Sequence, residues 1–224
     1  MAKPVFSSIG TQGPRLESIK TNVQPLGMKP AAPLLLIDVD GVISLFGFGQ
    51  TGPPAGSFTV VDGIPHYISA AAGARLARLR PTFECVWCTG WEDRADEHLP
   101  RLLGLTAGWG HLKFPQEPVP AAHWKLASIE AHTGPDRAVA WIDDAHDDTC
   151  EAWAANRPGP TLLVATDPAV GITRRARGDA AQLGARSVRL TTSGGRRKRT
   201  GNPLVPIPEE TWRWRSPSAT WPYR

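Results

Sequence analysis

At 224 residues with 41% hydrophobic content, the chain is long enough for one domain with a substantial core. The formal net charge of +4 and the sequence pI of about 9.2 come from the last quarter, where Arg174, Arg175, Arg177, Arg186, Arg189 and Arg196-Arg197-Lys198-Arg199 gather. Three cysteines make no disulfide framework, no apolar window is long enough for a membrane span, and the start has no basic-then-apolar signal; a soluble, cytoplasmic protein with no membrane partner is predicted.

Residues 1–31 carry scattered Pro and Gly without periodicity and read as a flexible leader. Leu34-Leu35-Leu36-Ile37 is a continuous apolar run ending in Asp38, the pattern of a strand buried on both faces of a parallel sheet. Glycines and prolines between residues 44 and 65 surround Ser57-Phe58-Thr59-Val60-Val61, which predicts a loop with a small hairpin. A helix is expected over residues 67–79, closed by Pro81, and a second buried strand over residues 83–88.

Helices are expected at 94–103, 123–132 and 147–156, with strands at 138–142 and 161–165. This alternation predicts an α/β, Rossmann-like three-layer sandwich: a mainly parallel central sheet, a small flap after the first strand, and no large cap domain. The expected boundaries are a leader at 1–31, a folded α/β domain at 32–173, and a loose Pro- and Trp-bearing basic tail at 174–224.

The first strand delivers Asp38-Val39-Asp40-Gly41-Val42 to the carboxyl edge of the sheet. Carboxylates at i and i+2 on an extended stretch share a side and repel unless a cation lies between them, and a hard ion such as Mg2+ suits all-oxygen ligands. The third strand adds Asp143 and Asp144 in the same position, with Asp147 a competitor to Asp144 for supporting the metal. Thr89 and Gly90, after the second strand, offer a hydroxyl and backbone N–H groups to phosphate oxygens, and Lys125 offers a charge to screen nucleophile from phosphate.

The order of these motifs resembles the haloacid dehalogenase superfamily. Its first motif is matched by Asp38 to Val42, its second by Thr89, its third by Lys125 and its fourth by Asp143 and Asp144, over roughly residues 34–173. The wording around the motifs is similar to a small bacterial subgroup without large caps, some relatives of which are attached to RNA-repair enzymes. The resemblance implies a magnesium-dependent phosphate monoester hydrolase. Asp38 would be the nucleophile that becomes an aspartyl-phosphate, Asp40 the acid and base, and Thr89, Gly90 and Lys125 the holders of the transferring group; Asp38, Asp40, Asp143 and Asp144 would surround Mg2+. The second acid at i+2 argues against halide displacement.

The expected substrate is a phosphorylated small molecule or nucleotide. Two other readings stand beside it: a nucleic-acid end phosphatase using the basic, Trp-bearing tail, and a non-catalytic binding protein on the same fold. Cys85-x-x-Cys88 reads as two inert buried thiols, since i and i+3 on a strand face opposite ways. His146 is expected at the surface rather than on a substrate.

Overall fold

The computed structural model describes residues 31–50, 52–115 and 122–192, with side chains as far as residue 185. The leader at 1–30 and the tail beyond 192 lie outside the described residues. The first element is β1 (Leu34–Ile37), all four residues of which are buried. It is followed by β2 (Ser44–Leu45), β3 (Gly56–Val61), β4 (Ile64–Ser69), α1 (Ala72–Ala77), β5 (Glu84–Trp87), α2 (Asp93–Leu103) and β6 (Gly110–His111). Then come α3 (Leu126–Thr133), β7 (Val139–Asp143), α4 (Asp148–Asn156), β8 (Thr161–Ala165) and α5 (Arg174–Thr192).

Five strands form a parallel sheet in the order β6-β5-β1-β7-β8, an α/β Rossmann-like arrangement. Period-two alternation divides β1 between two cores. Leu35 and Ile37 pack with Ala72, Leu76, Ala95, Leu99, Ala176 and Ala180, from α1, α2 and α5. Leu34 and Leu36 pack on the other face with Leu126, Ile129 and Cys150, from α3 and α4. Truncating one such leucine to alanine typically costs about 2–5 kcal/mol, so the central strand anchors both layers. Cys85 belongs to the first core and Cys88 to the second, both as free thiols, and burial pushes the Cys85 thiol up to about 12.

The topology sets where a site can form. From β1 the chain moves outward through β5 and β6, then crosses back to β7 and β8, so the direction of winding reverses between β1 and β7. In open parallel sheets the crevice beyond the strand ends at such a reversal is where ligands are held. Ile37 pairs with Trp87 on one side and Ile142 on the other. Asp38 therefore emerges level with Cys88 and Asp143, one residue before Thr89 and Asp144.

Two expectations needed correction. The helix expected over 67–79 begins only at Ala72, because Asp62 and Gly63, at φ 50° and 83°, make a tight turn that pairs Val61 with Ile64. An Asp-Gly pair of positive φ suits a two-residue hairpin, and the ladder it starts carries β4 to Ser69, opposite Gly56. The resulting antiparallel flap, β2-β4-β3, leaves Phe58, Val60 and Ile64 on the surface.

The second correction concerns residues 174–192, expected as the start of a loose tail but folded as α5 within the unit Met1–Thr192. Its buried face is Ala176, Ala180 and Gly184, at helical spacing, with Leu183, the one large apolar side chain of the helix among the described residues, packed beside them on the core. A pattern read from large apolar side chains passes over such a helix. Thr173 Oγ1 caps it by accepting from Ala176 N at 3.1 Å. Among the described residues no helix is long and apolar enough to cross a membrane.

Candidate functional site

The ends of β1 and β7 bring Asp38, Asp143 and Asp144 together, with a carboxylate oxygen from each lying within 4.8 Å of the others. Lys125, just ahead of α3, reaches into the group: its Nζ is 2.6 Å from Asp143 Oδ2 and 3.0 Å from Asp38 Oδ2. Asp38 is 6% exposed, Lys125 3% and Asp143 0%, so these charges face one another with little water between them. Asp143 is the most firmly held. Its Oδ2 also accepts from Trp141 Nε1 at 2.9 Å, and its Oδ1 accepts from Ala145 N at 3.0 Å.

The charge balance is uneven, with three carboxylates against one ammonium. Burial pushes Asp38 up to about 7, with Lys125 opposing the rise and Asp143 adding to it. Burial and the adjacent Asp143 likewise push Asp144 up to about 6. For Lys125 burial pulls the other way, but Asp38 and Asp143 together hold it above the ordinary lysine range. The ammonium stays charged while its partners are short of positive charge. A hard divalent cation among Asp38, Asp143 and Asp144 fits this donor set and would make up that shortfall.

Gly41 makes the close approach of Asp144 possible. Its φ is +71°, and a Cβ there would fall 2.3 Å from Asp144 Cγ. The turn is also pinned by Gly41 N donating to Ser44 O and by Thr166 Oγ1 donating to Gly41 O at 3.0 Å. Only a residue without a side chain satisfies both the left-handed backbone and the contact.

Asp40, expected among the metal-binding carboxylates, lies outside the group formed by Asp38, Asp143 and Asp144. Its side chain is half exposed, with Oδ2 accepting from Trp91 Nε1 at 3.0 Å and Oδ1 3.8 Å from His66 Nδ1. His66, on β4, also meets Ser44 Oγ at 3.0 Å and rests against the Trp91 ring. Alternation along the strand end accounts for the similar outlook of Asp38 and Asp40, but the turn at Gly41 directs Asp40 toward the flap. Sequence reasoning missed both His66 and Trp91. Trp91 sits two residues beyond Thr89, and that adjacency was the available signal; nothing local marked His66.

Thr89 is buried at 1% exposure, and its Oγ1 lies 3.5 Å from Trp91 N. Gly90, exposed beside it, faces Trp124, whose ring carries the Lys125 ammonium 5.1 Å from its centroid. Three residues on, Glu92 has φ 51°, a strained value for a residue with a side chain, and its Oε1 accepts from Phe114 N at 3.0 Å. Such strain persists where surrounding contacts over-determine the backbone, and it tends to gather at functional loops.

Asp144 and Asp147 are placed apart. Asp147 caps α4, accepting from Thr149 N and Cys150 N at 3.0 and 3.1 Å, while Asp144 joins the carboxylate group. His146 is not the surface residue expected. Both its ring nitrogens are buried without a hydrogen-bond partner among the described residues, edge-on to Trp141, and burial lowers its pKa to about 4. It is a neutral ring packed behind Asp143.

Neither any protein-family model nor any curated protein matches the chain. Among solved structures, a hypothetical protein from Xanthomonas campestris is similar at 13% sequence identity with a TM-score of 0.38, covering 73% of this chain and 90% of that one. That likeness is too distant to bear on function.

Proposed function

We propose that the chain is a magnesium-dependent phosphate monoester hydrolase of the haloacid dehalogenase type. The reading rests on one observation above the rest: at the winding reversal of the sheet Asp38 gathers with Asp143 and Asp144, and the Lys125 ammonium bridges Asp38 and Asp143.

In this reading Asp38 is the nucleophile. Lys125 holds its Oδ2, which leaves Oδ1 to form the bond to phosphorus as the bond to the leaving oxygen breaks. Asp40 gives that oxygen its proton, held in place by the Trp91 indole N–H, and then takes a proton from the water that attacks the aspartyl-phosphate and releases Asp38. Thr89, Gly90 and Lys125 hold the transferring group against repulsion from Asp38. Mg2+, held by Asp38, Asp143 and Asp144, supplies charge stabilisation and favours the ionised form of Asp38. Environment separates the two acids of Asp38-Val39-Asp40, one buried beside an ammonium and one at the edge of solvent under the flap.

The experiment is phosphate release from a panel of small phosphomonoesters with Mg2+ or with EDTA. Turnover of at least one ester with Mg2+, lost in EDTA and restored by the metal, is expected. No release from any ester, with Mg2+ binding intact, would favour a binding protein instead. The two nearby acids should behave differently in the same assay. Asp147→Ala removes a helix cap and should cost about 0.5–2 kcal/mol in a urea titration with turnover kept. Asp144→Asn should instead raise the Mg2+ concentration needed for activity.

A further inference from the structure

A cleft of about 400 Å³ lies between α1 and α5, lined by Ala71, Ala74, Arg75, Arg78, Arg174 and Arg177. Four of the six lining residues are arginines, and among the described residues none of them forms an ion pair with a carboxylate. The alanines leave the guanidiniums room to face the opening. Arg75 donates to the backbone carbonyl of Ile172, tying one wall to the chain entering the other, so the two sides are set relative to each other.

Arg75 and Arg78, at the C-terminal end of α1, accord with the helix dipole, but the charges on α5 oppose it. The first turn of α5 carries no acid, and Arg174, Arg175 and Arg177 crowd the end where the helix dipole is already positive. A run of like charges that breaks a local preference without internal compensation is expected where a ligand supplies the opposite charge. The spacing points to the kind of anion. Arg75 and Arg78 on one wall, and Arg174 and Arg177 on the other, repeat at i and i+3, so each wall presents a row of charge rather than a single point. The lining contains no aromatic ring and no carboxylate or amide side chain that would read the functional groups of one particular small molecule.

We propose that this cleft binds the sugar-phosphate backbone of a single-stranded nucleic acid. Guanidinium forks match phosphate oxygens two at a time, and a positively charged groove can follow a backbone without regard to sequence; with no aromatic ring in the lining to stack a base, the contacts here fall on the phosphates. Both walls begin on the side of the sheet where Asp38 and Asp143 end their strands, since α1 leaves the flap and α5 follows β8. A bound strand would therefore pass close to the carboxylate site. Binding in the cleft does not depend on turnover.

The test uses the full chain in EDTA, with a short fluorescein-labelled oligothymidylate followed by anisotropy over a salt series. Arg78→Glu and Arg174→Glu should each weaken binding at low salt by at least about tenfold and make the salt slope shallower by roughly 1. Arg101→Glu, on the exposed face of α2, changes net charge equally and should stay within about twofold of the parent. Melting curves identify any variant that fails to fold, and Arg78→Ala and Arg174→Ala then take its place with the same expected direction. Equal weakening in all three reversals would show that binding follows net charge alone and would overturn the proposal, as would unchanged binding in both cleft variants. Competition by inorganic phosphate or by a polyglutamate peptide as effective as unlabelled oligothymidylate would also overturn it.

Discussion

Asp38→Asn should reduce phosphate release from any accepted ester by at least about 10⁴-fold, since an amide cannot form the acyl-phosphate and a lost nucleophile removes most of an enzyme's chemical step. The protein should remain folded. The substitution keeps the shape of the side chain and removes one of three carboxylates gathered around Lys125, so repulsion inside the cluster falls. Metal-free melting at pH 8 should therefore match or exceed that of the parent. Phosphate release at the parental rate would remove the nucleophile assignment and with it the proposed hydrolase; a collapsed fold would instead mean that Asp38 is chiefly structural.

Lys125→Met should be the most damaging change to stability, and its cost should depend on pH. The ammonium is the partner of two buried carboxylates, and removing one member of a buried ion pair typically costs about 3–5 kcal/mol. The sign follows from protonation. Asp38, raised to about 7 from an ordinary value of 3.8, contributes stability at acid pH that is lost as pH rises through that interval. Lys125 limits the loss, because its charge favours the ionised form of Asp38. Without it the penalty should be smaller near pH 5, where Asp38 holds its proton, than near pH 8, the contact with Asp143 being lost at both. Urea titrations of parent and variant at both pH values measure it. A penalty independent of pH would mean that Lys125 contributes through Asp143 or through packing on Trp124 rather than through the charge of Asp38. Mg2+ should offset part of the loss at pH 8 if it occupies the carboxylate group as proposed.

The elements easiest to read in the sequence were those whose side chains are large and whose burial is complete. The run from Leu34 to Ile37 and the stretches ending at Cys88 and Asp143 are hydrophobic because a parallel strand covered on both faces has no solvent side. An acid just beyond such a strand stands out, so Asp38, Asp143 and Asp144 were identifiable before any fold was known. Less legible were elements held by small residues or by turn chemistry. The Ala176, Ala180 and Gly184 stripe of α5 buries too little hydrophobic bulk to produce a periodic signal, and the Asp62-Gly63 turn moved the start of α1 by placing the first three residues of an expected helix in β4.

Long-range partners were the least legible. Asp40 is separated from His66 by two strands of the flap and from Trp91 by the whole flap, α1 and β5, and Asp143 meets Lys125 across α3 and a loop. None of these pairings leaves a local trace. The cleft between α1 and α5 is of the same kind, since Arg75 and Arg174 are nearly a hundred residues apart and only the packing of two helices on one face of the sheet brings them together.

By itself, the order of residues determined the alternation of strands and helices and the chemical type of the group at the end of each strand, because burial and backbone preference act over a few residues. Tertiary structure decided which of those groups meet: Asp144 rather than Asp147, Asp40 under the flap rather than with the other acids, and four arginines facing one cleft. Those outcomes depend on strand register, on a single left-handed turn at Gly41 and on the packing of helices far apart in the chain, and each is set by the fold as a whole.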